Sequence, residues 1–374
     1  MLPNSSLSSS SSSFSLSSSV SLASNDDDEQ QLYLISNRKN FIDRYEFSMS
    51  TKIARVFFSS REKAEEDFEQ FIDHNAEKFK KRKILILIHG FTVTYEGAVD
   101  TLEQVAYEVN KSYDIVIGYL YPAGAKFYQY SKAKKRGLRA ARAYLSNILR
   151  RIQPLAQRLD IAAHSMGTIV AMNALNQSQS PKINNLFLLG GAINETSIFD
   201  CDGHKCTHLQ QALTNASKIY IFYSCNDAIL PWLHLFNPTQ TVGSPGEEIL
   251  KKPIAHNVYL INTTSIVKDH SGYYKSQEIF EFFKKAVDCS DRKEDLSDRY
   301  FTFESGKLTS HLKPKICPRK DGIWLTIRTQ LPIPKRKPNS FSQTTIEATT
   351  IYGTENIFST HYNTENWKND LYTL

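Results

Sequence analysis

Residues 84–88 (Ile-Leu-Ile-Leu-Ile) form an apolar run with no alternation, the pattern of a strand covered on both faces, as in a parallel sheet. Just downstream, Ala98, Leu102, Val105, Ala106 and Val109 recur at helical spacing and mark the buried face of a helix. The same alternation continues along the chain. A strand is expected over 113–120. A long helix is expected over 128–152, with Leu138, Ala141, Leu145, Ile148 and Ile152 on one side. A strand over 159–163 and a helix over 168–175 follow, then strands over 185–189, 218–224 and 258–261, with helices over 209–217 and 277–287. Strands alternating with helices predict an α/β architecture, a mostly parallel sheet with helices on both faces. In such sheets the loops at the carboxyl ends of the strands carry the chemistry, so the residues that end each strand decide what the chain can do.

The strand over 159–163 ends in Ala163-His164-Ser165-Met166-Gly167. A serine in a tight strand-to-helix turn, flanked by small residues because its backbone is strained, is the pattern of a nucleophile elbow. Ala163 stands where glycine is usual, and Gly167 supplies the other small position. The strand over 84–88 ends in His89-Gly90-Phe91, where the N–H of Phe91 is expected to act with the N–H of Met166 as an oxyanion hole. His89 and His164 are expected to shape these turns rather than to react. A catalytic serine needs a base, and the base needs an acid to orient it. Asp227 follows the strand over 218–224 and is the expected acid. His270 follows the next strand and is the expected base, in the order Ser, Asp, His. Asp200 and Asp202 are rival acids in an earlier loop, and Asp269 reads as a solvated loop residue. Phe199, Trp232 and Phe236, with Ile198 and His234, lie where they could line an apolar substrate pocket or pack a cap helix.

These segments together resemble an α/β-hydrolase family of bacterial esterase/lipase-like proteins of unknown function. The resemblance spans residues 32–287. It rests on Leu-Tyr-Leu-Ile-Ser-Asn-Arg at 32–38, the strand into His89-Gly90-Phe91, the Ser165 elbow, Tyr-Ser-Cys-Asn-Asp at 223–227 and Asp-His-Ser-Gly-Tyr-Tyr at 269–274. It implies the α/β-hydrolase fold and a serine-hydrolase triad, and it says little about substrate; no cofactor and no metal are expected.

Composition adds bounds. The chain has 374 residues, long enough for one domain over 31–290, a serine-rich start over 1–30 that is expected to be disordered, and an appendage over 291–374 that is basic and then polar. That appendage contains one expected strand, over 322–329. No apolar run approaches the roughly 18 residues that span a bilayer. The start has neither the charged beginning nor the continuous apolar stretch of a secretory signal, so the expected location is the cytoplasm, with export through a serine-rich, uncleaved secretion signal as the alternative. The five cysteines are an odd, sparse set and fit a reducing compartment better than a disulfide scaffold. Cys201, His204, Cys206 and His208 are too closely spaced for an ordinary zinc site. The net charge is +6, and it is concentrated. Lys132, Lys134, Lys135, Arg136, Arg139 and Arg142 crowd the start of the long helix, and a second run extends from Lys307 to Lys337 with only Asp321 against it. Either run is first read as a solvated face and second as a weak contact with an anionic membrane surface. No nucleic-acid motif accompanies them. The expected function is therefore hydrolysis of a carboxylic ester or thioester, small-molecule or lipid, through an acyl-enzyme on Ser165. The rivals are acyl transfer by the same triad and an inactive scaffold that binds a partner through the basic tail.

Overall fold

A computed structural model describes residues 30–56, 65–199, 208–232, 241–246, 250–291, 298–314, 346–352 and 356–362. The chain opens with β1 (Gln31–Arg38), antiparallel to β2 (Phe47–Val56), which pairs with the short β3 (Glu66–Asp67). Asp67 caps α1 (Phe68–Phe79) by accepting the N–H groups of Glu69 and Gln70. There follow β4 (Lys83–Ile88), α2 (Tyr95–Val109), β5 (Ile115–Leu120), α3 (Tyr130–Ala140), α4 (Ser146–Ile152), β6 (Arg158–His164), α5 (Gly167–Leu175) and β7 (Ile183–Leu189). The order continues with α6 (Gln210–Asn215), β8 (Ala216–Tyr223), α7 (Ile229–Trp232), β9 (Val258–Asn262), α8 (Gln277–Asp291), β10 (Tyr300–Glu304) and β11 (Lys307–His311). The long helix expected over 128–152 is present but not uniform, because a π-helical turn at Ala141–Leu145 joins α3 to α4.

The strands form one sheet in the order β11-β10-β9-β8-β7-β6-β4-β5-β1-β2-β3. From β10 to β1 every neighbouring pair is parallel, and antiparallel strands flank this block at both edges. Burial on both faces explains the unbroken apolar runs. Ile84, Ile86 and Ile88 of β4 pack with α1, α3, α4, α5 and α6 on one face. Leu85 and Leu87 pack with α2 and α8 on the other. The α/β layering expected from periodicity is the layering observed.

The sheet does not stop at residue 290, where the sequence reading ends the domain. β10 lies parallel to β9, and β11 turns back on β10. Phe301 and Phe303 of β10 are buried in the core on the α2 and α8 face. Asp291, at the end of α8, reaches back to Lys83 and Arg158 at 2.8 and 2.6 Å. β10 and β11 escape the hydrophobic pattern for a simple reason. A strand of five residues carries too little pattern to announce itself after a polar segment, yet β9 would otherwise be an open apolar edge. Residues Met1–Cys317 form one compact unit and Pro318–Leu374 a second. Within the second, β12 (Ile346–Tyr352) and β13 (Asn356–Tyr362) pair antiparallel. The serine-rich start, Asp200 and Asp202, Cys201, His204, Cys206, His234, Phe236 and the strand expected over 322–329 lie outside the described residues. No helix among the described residues is long and apolar enough to cross a membrane.

Candidate active site

The parallel strands deliver the candidate residues to one edge of the sheet. Ser165 follows β6 and precedes α5, with φ of 54°, a left-handed conformation that a non-glycine residue adopts at a cost of about 1–3 kcal/mol. The turn closes because of Gly167. A Cβ on that residue would sit 2.5 Å from the carbonyl oxygens of both Ile88 and His89. The Ser165 N–H donates to the Leu189 carbonyl at 3.0 Å, while the Ser165 carbonyl accepts from Ala192 N–H at 3.2 Å and from the Thr168 hydroxyl at 2.6 Å. These bonds hold the strained residue from β7 as well as from its own helix. Ala163 is fully buried and fits where glycine is usual.

Ser165 Oγ lies 2.8 Å from His270 Nε2, and His270 Nδ1 lies 2.6 Å from Asp227 Oδ2. Asp227 is 1% exposed, and its other oxygen, Oδ1, accepts the N–H groups of Ile229 and Leu230, each at 3.1 Å. The carboxylate is thus held by two backbone donors on one side and faces histidine with the other. The three residues that the sequence placed on three separate strand ends are brought into one hydrogen-bonded line. Asp269, the neighbouring acid, is exposed and accepts the N–H and hydroxyl of Ser271.

His89-Gly90-Phe91 passes directly beside the nucleophile. A Cβ on Gly90 would lie 3.0 Å from Ser165 Cβ and 3.2 Å from His164 Nδ1, so any larger residue there would crowd the nucleophile. Phe91 and Met166 are the residues that directly follow Gly90 and Ser165, the two that lie against each other here. His164 donates from Nε2 to the carbonyl of His270 at 2.8 Å and packs its ring 4.7 Å from that of His270. Burial, then the nearby His270, hold His164 far below the usual histidine range, at about 3. Burial and the nearby Arg38 push His89 down as well.

These two partly buried, neutral histidines predict a pH dependence of stability. In the unfolded chain both take up a proton near about pH 6.5. In the folded chain His164 does so only near about 3 and His89 also well below its usual value. Between those limits the unfolded state binds more protons, so stability rises with pH. The urea midpoint is expected to fall as pH drops from 7 towards 5, and less steeply in His164→Gln. A midpoint that stays flat across that window in the parent protein would contradict the assignment.

The residues expected to line a substrate pocket fare differently. Phe199 is fully buried in the core and pairs with Ile254 through a single bridge, so it is packing rather than an open pocket wall. Trp232 ends α7, the helix that begins two residues after Asp227. An open cleft of about 530 Å³ is lined instead by Tyr45, Glu46, Phe47, Lys135, Arg136 and Arg139. It holds part of the basic run of α3, and the Arg139 guanidinium lies over Phe47, 4.5 Å from the ring centroid. No group of three or more His, Cys, Asp or Glu able to hold a metal occurs among the described residues. Cys225, two residues before Asp227, is disulfide-bonded, whereas Cys289 is a buried free thiol. The expectation of cysteines kept reduced therefore does not hold at Cys225, because an odd, sparse set of cysteines does not prevent one bridge.

Residues 61–237 match the family described as "alpha/beta hydrolase of unknown function (DUF900)". No curated protein sequence matches the chain. Among solved structures the chain is similar to an esterase from Pyrococcus furiosus, at 12% identity and a TM-score of 0.35, covering 72% of this chain and 94% of that one. It is also similar to Est1E from Butyrivibrio proteoclasticus, solved with ferulic acid bound, at 18% identity and a TM-score of 0.32, covering 57% and 90%. The sheet order, the parallel block with helices on both faces and the family match together identify an α/β-hydrolase fold. The two structural likenesses are too distant to bear on chemistry.

Proposed function

We propose that the protein is a serine hydrolase that cleaves a carboxylic ester or thioester through an acyl-enzyme on Ser165. The observation that carries this reading is the unbroken line from Ser165 Oγ to His270 Nε2 at 2.8 Å and from His270 Nδ1 to Asp227 Oδ2 at 2.6 Å. His270 takes the Ser165 proton on Nε2 as Oγ attacks the carbonyl carbon. The N–H groups of Phe91 and Met166 receive the oxygen that becomes negative. The tetrahedral intermediate collapses, the bond to the leaving oxygen or sulfur breaks, and His270 returns the proton to that atom. Water then attacks the acyl-enzyme, giving its proton to His270, and the carboxylic acid leaves as Ser165 regains its hydrogen. Asp227 keeps Nδ1 protonated throughout and offsets the positive charge that forms on the ring. The arrangement needs no metal for any of these steps. An inactive scaffold would have no use for a strained serine aligned with a histidine and a carboxylate, so the intact line favours catalysis over that rival.

The test is covalent labelling by a fluorophosphonate, which reacts with serines activated in this way. The parent protein is expected to be labelled once, at Ser165, and labelling should be abolished in Ser165→Ala. A folded parent protein that takes no label, or a Ser165→Ala variant labelled as fast as the parent, overturns the proposal.

A further inference from the structure

Arg38, the last residue of β1, is fully buried. Burial lowers its pKa to about 10, which leaves it charged at neutral pH. Among the described residues none of its hydrogen bonds goes to a carboxylate. Nε donates to the Tyr121 carbonyl at 3.0 Å, Nη2 to the Val93 carbonyl at 2.9 Å and Nη1 to the Phe41 carbonyl at 3.5 Å. Nη2 also meets His89 Nε2 at 3.0 Å. A buried charge whose hydrogen bonds, among the described residues, all go to neutral acceptors, with Asp43 and Glu96 acting on it only without contact, is expensive, and fold stability alone would be served by an apolar residue. The position of those acceptors suggests what the charge does. Val93 and His89 flank Gly90-Phe91, the turn beside the nucleophile.

The tautomer of His89 follows from its partners. A guanidinium can only donate, and so can the peptide N–H of Tyr121, which reaches Nε2 at 3.2 Å. Nε2 must therefore carry a lone pair, and the ring proton sits on Nδ1. Nδ1 donates to the carbonyl oxygen of Gly90 at 2.7 Å. The ring is held flat against Tyr121, with centroids 4.5 Å apart and planes at 7°, and the Tyr121 hydroxyl donates to the His89 carbonyl at 3.2 Å. No peptide among the described residues is cis. In a trans peptide the C=O and the following N–H point in opposite directions, so fixing the Gly90 oxygen on His89 also fixes the direction of the Phe91 N–H. Gly90 itself lies against Ser165.

We propose that Arg38 is a positioning residue for the oxyanion hole. Through His89 and the Gly90 carbonyl it sets the direction of the Phe91 N–H beside Ser165. The proposal rests on the ester-hydrolysis reading of the site. Arg38 shares with the Tyr121 N–H the task of keeping the His89 proton on Nδ1 and, bonded to the Val93 carbonyl as well, ties the ring to the turn; without that tie the His89–Gly90 hydrogen bond loosens and the Gly90–Phe91 peptide can rotate. A donor aimed before the reaction is worth more than one that must reorient, and loss of one oxyanion donor costs on the order of 10²–10³ in kcat.

The experiment compares the full chain with His89→Leu, His89→Asn, Arg38→Met and the double variant Arg38→Met with His89→Leu. The asparagine Nδ2–H can stand in for the histidine Nδ1–H towards Gly90. His89→Leu and Arg38→Met are expected to lower kcat for a short-chain ester by about 10²–10³-fold, with KM within about threefold. His89→Asn is expected to recover activity to within about tenfold of the parent. The double variant should lose no more than the worse single one, because both residues act through the same peptide. A second readout uses an aryl trifluoromethyl ketone, which forms a hemiketal with Ser165. Its ionisation, followed by ¹⁹F NMR, should shift to higher pH in the two damaging variants and not in His89→Asn. Should Arg38→Met fail to fold, Arg38→Lys, which keeps the charge but offers one nitrogen to four acceptors, replaces it with the same expected loss. Parent-like kcat and hemiketal ionisation in the Arg38 variant, or equal losses in His89→Leu and His89→Asn, overturn the positioning role while leaving the ester reading intact. A parent protein that forms no hemiketal and cleaves no ester removes that reading, and the Arg38 proposal with it.

Discussion

Ser165→Ala is expected to lower kcat for short-chain ester hydrolysis by on the order of 10⁴–10⁶-fold while leaving the melting temperature nearly unchanged. The reason for the first effect is chemical. Without Oγ there is no atom 2.8 Å from His270 Nε2 to form the acyl-enzyme. What activity persists would come from water placed against the amides of Phe91 and Met166. The second effect follows from the backbone. Ser165 holds φ of 54°, and alanine pays a similar conformational penalty there. The bonds that keep the elbow closed run from the Ser165 N–H to Leu189 and from Ala192 and Thr168 to the Ser165 carbonyl, none of which uses the hydroxyl. Steady-state rates and a thermal melt on the same preparation check both. Activity within tenfold of the parent, with contaminating esterase excluded, would remove Ser165 from its role.

How much of this site was legible in the sequence depends on how local each signal is. Ser165, His89-Gly90 and His270 could be found because each stands in a short stretch with its own pattern, at the end of a strand whose apolar run is unmistakable. Asp227 was reachable because strand ends carry the chemistry in a parallel sheet. Arg38 was visible only as part of Ser-Asn-Arg at 36–38, with no role, because its partners Tyr121, Val93 and His89 are separated from it by more than fifty residues of chain. A buried arginine satisfied by carbonyls leaves no spacing rule behind. The edges of the sheet were missed for a different reason. β2 is an edge-side strand with half-exposed positions, and β10 and β11 are five residues each, so neither alternation nor an apolar run separates them from loops. The exception at the pocket is also physical. Phe199 looked like a site residue because it follows β7 at the active edge, yet at zero exposure it serves the core.

Asp227→Asn is expected to keep the fold and to lower kcat on the order of 10⁴-fold, the effect of a histidine held in the wrong tautomer. The local bonds decide which way the new amide points. In the parent, Oδ1 accepts two backbone N–H groups, from Ile229 and Leu230 at 3.1 Å each. An asparagine must keep its carbonyl oxygen on those two donors, because turning its NH₂ towards them would set donor against donor in a nearly fully buried place. Its NH₂ is then left facing His270 Nδ1, where the carboxylate Oδ2 stood at 2.6 Å. A donor at that position forces the lone pair onto Nδ1 and the ring proton onto Nε2. Nε2 then points a hydrogen at Ser165 Oγ and can no longer take one from it. The substitution changes neither size nor packing, so the melting temperature should fall by only a few degrees. Asp200→Asn and Asp202→Asn, the rival acids, are expected to leave kcat within about twofold of the parent, because the carboxylate that faces His270 Nδ1 is that of Asp227. Rates for the three variants, measured with the same ester at the same pH, separate the candidates. A loss at Asp200 or Asp202 that equals the loss at Asp227, or a loss at Asp227 of less than tenfold, would assign the orienting acid elsewhere.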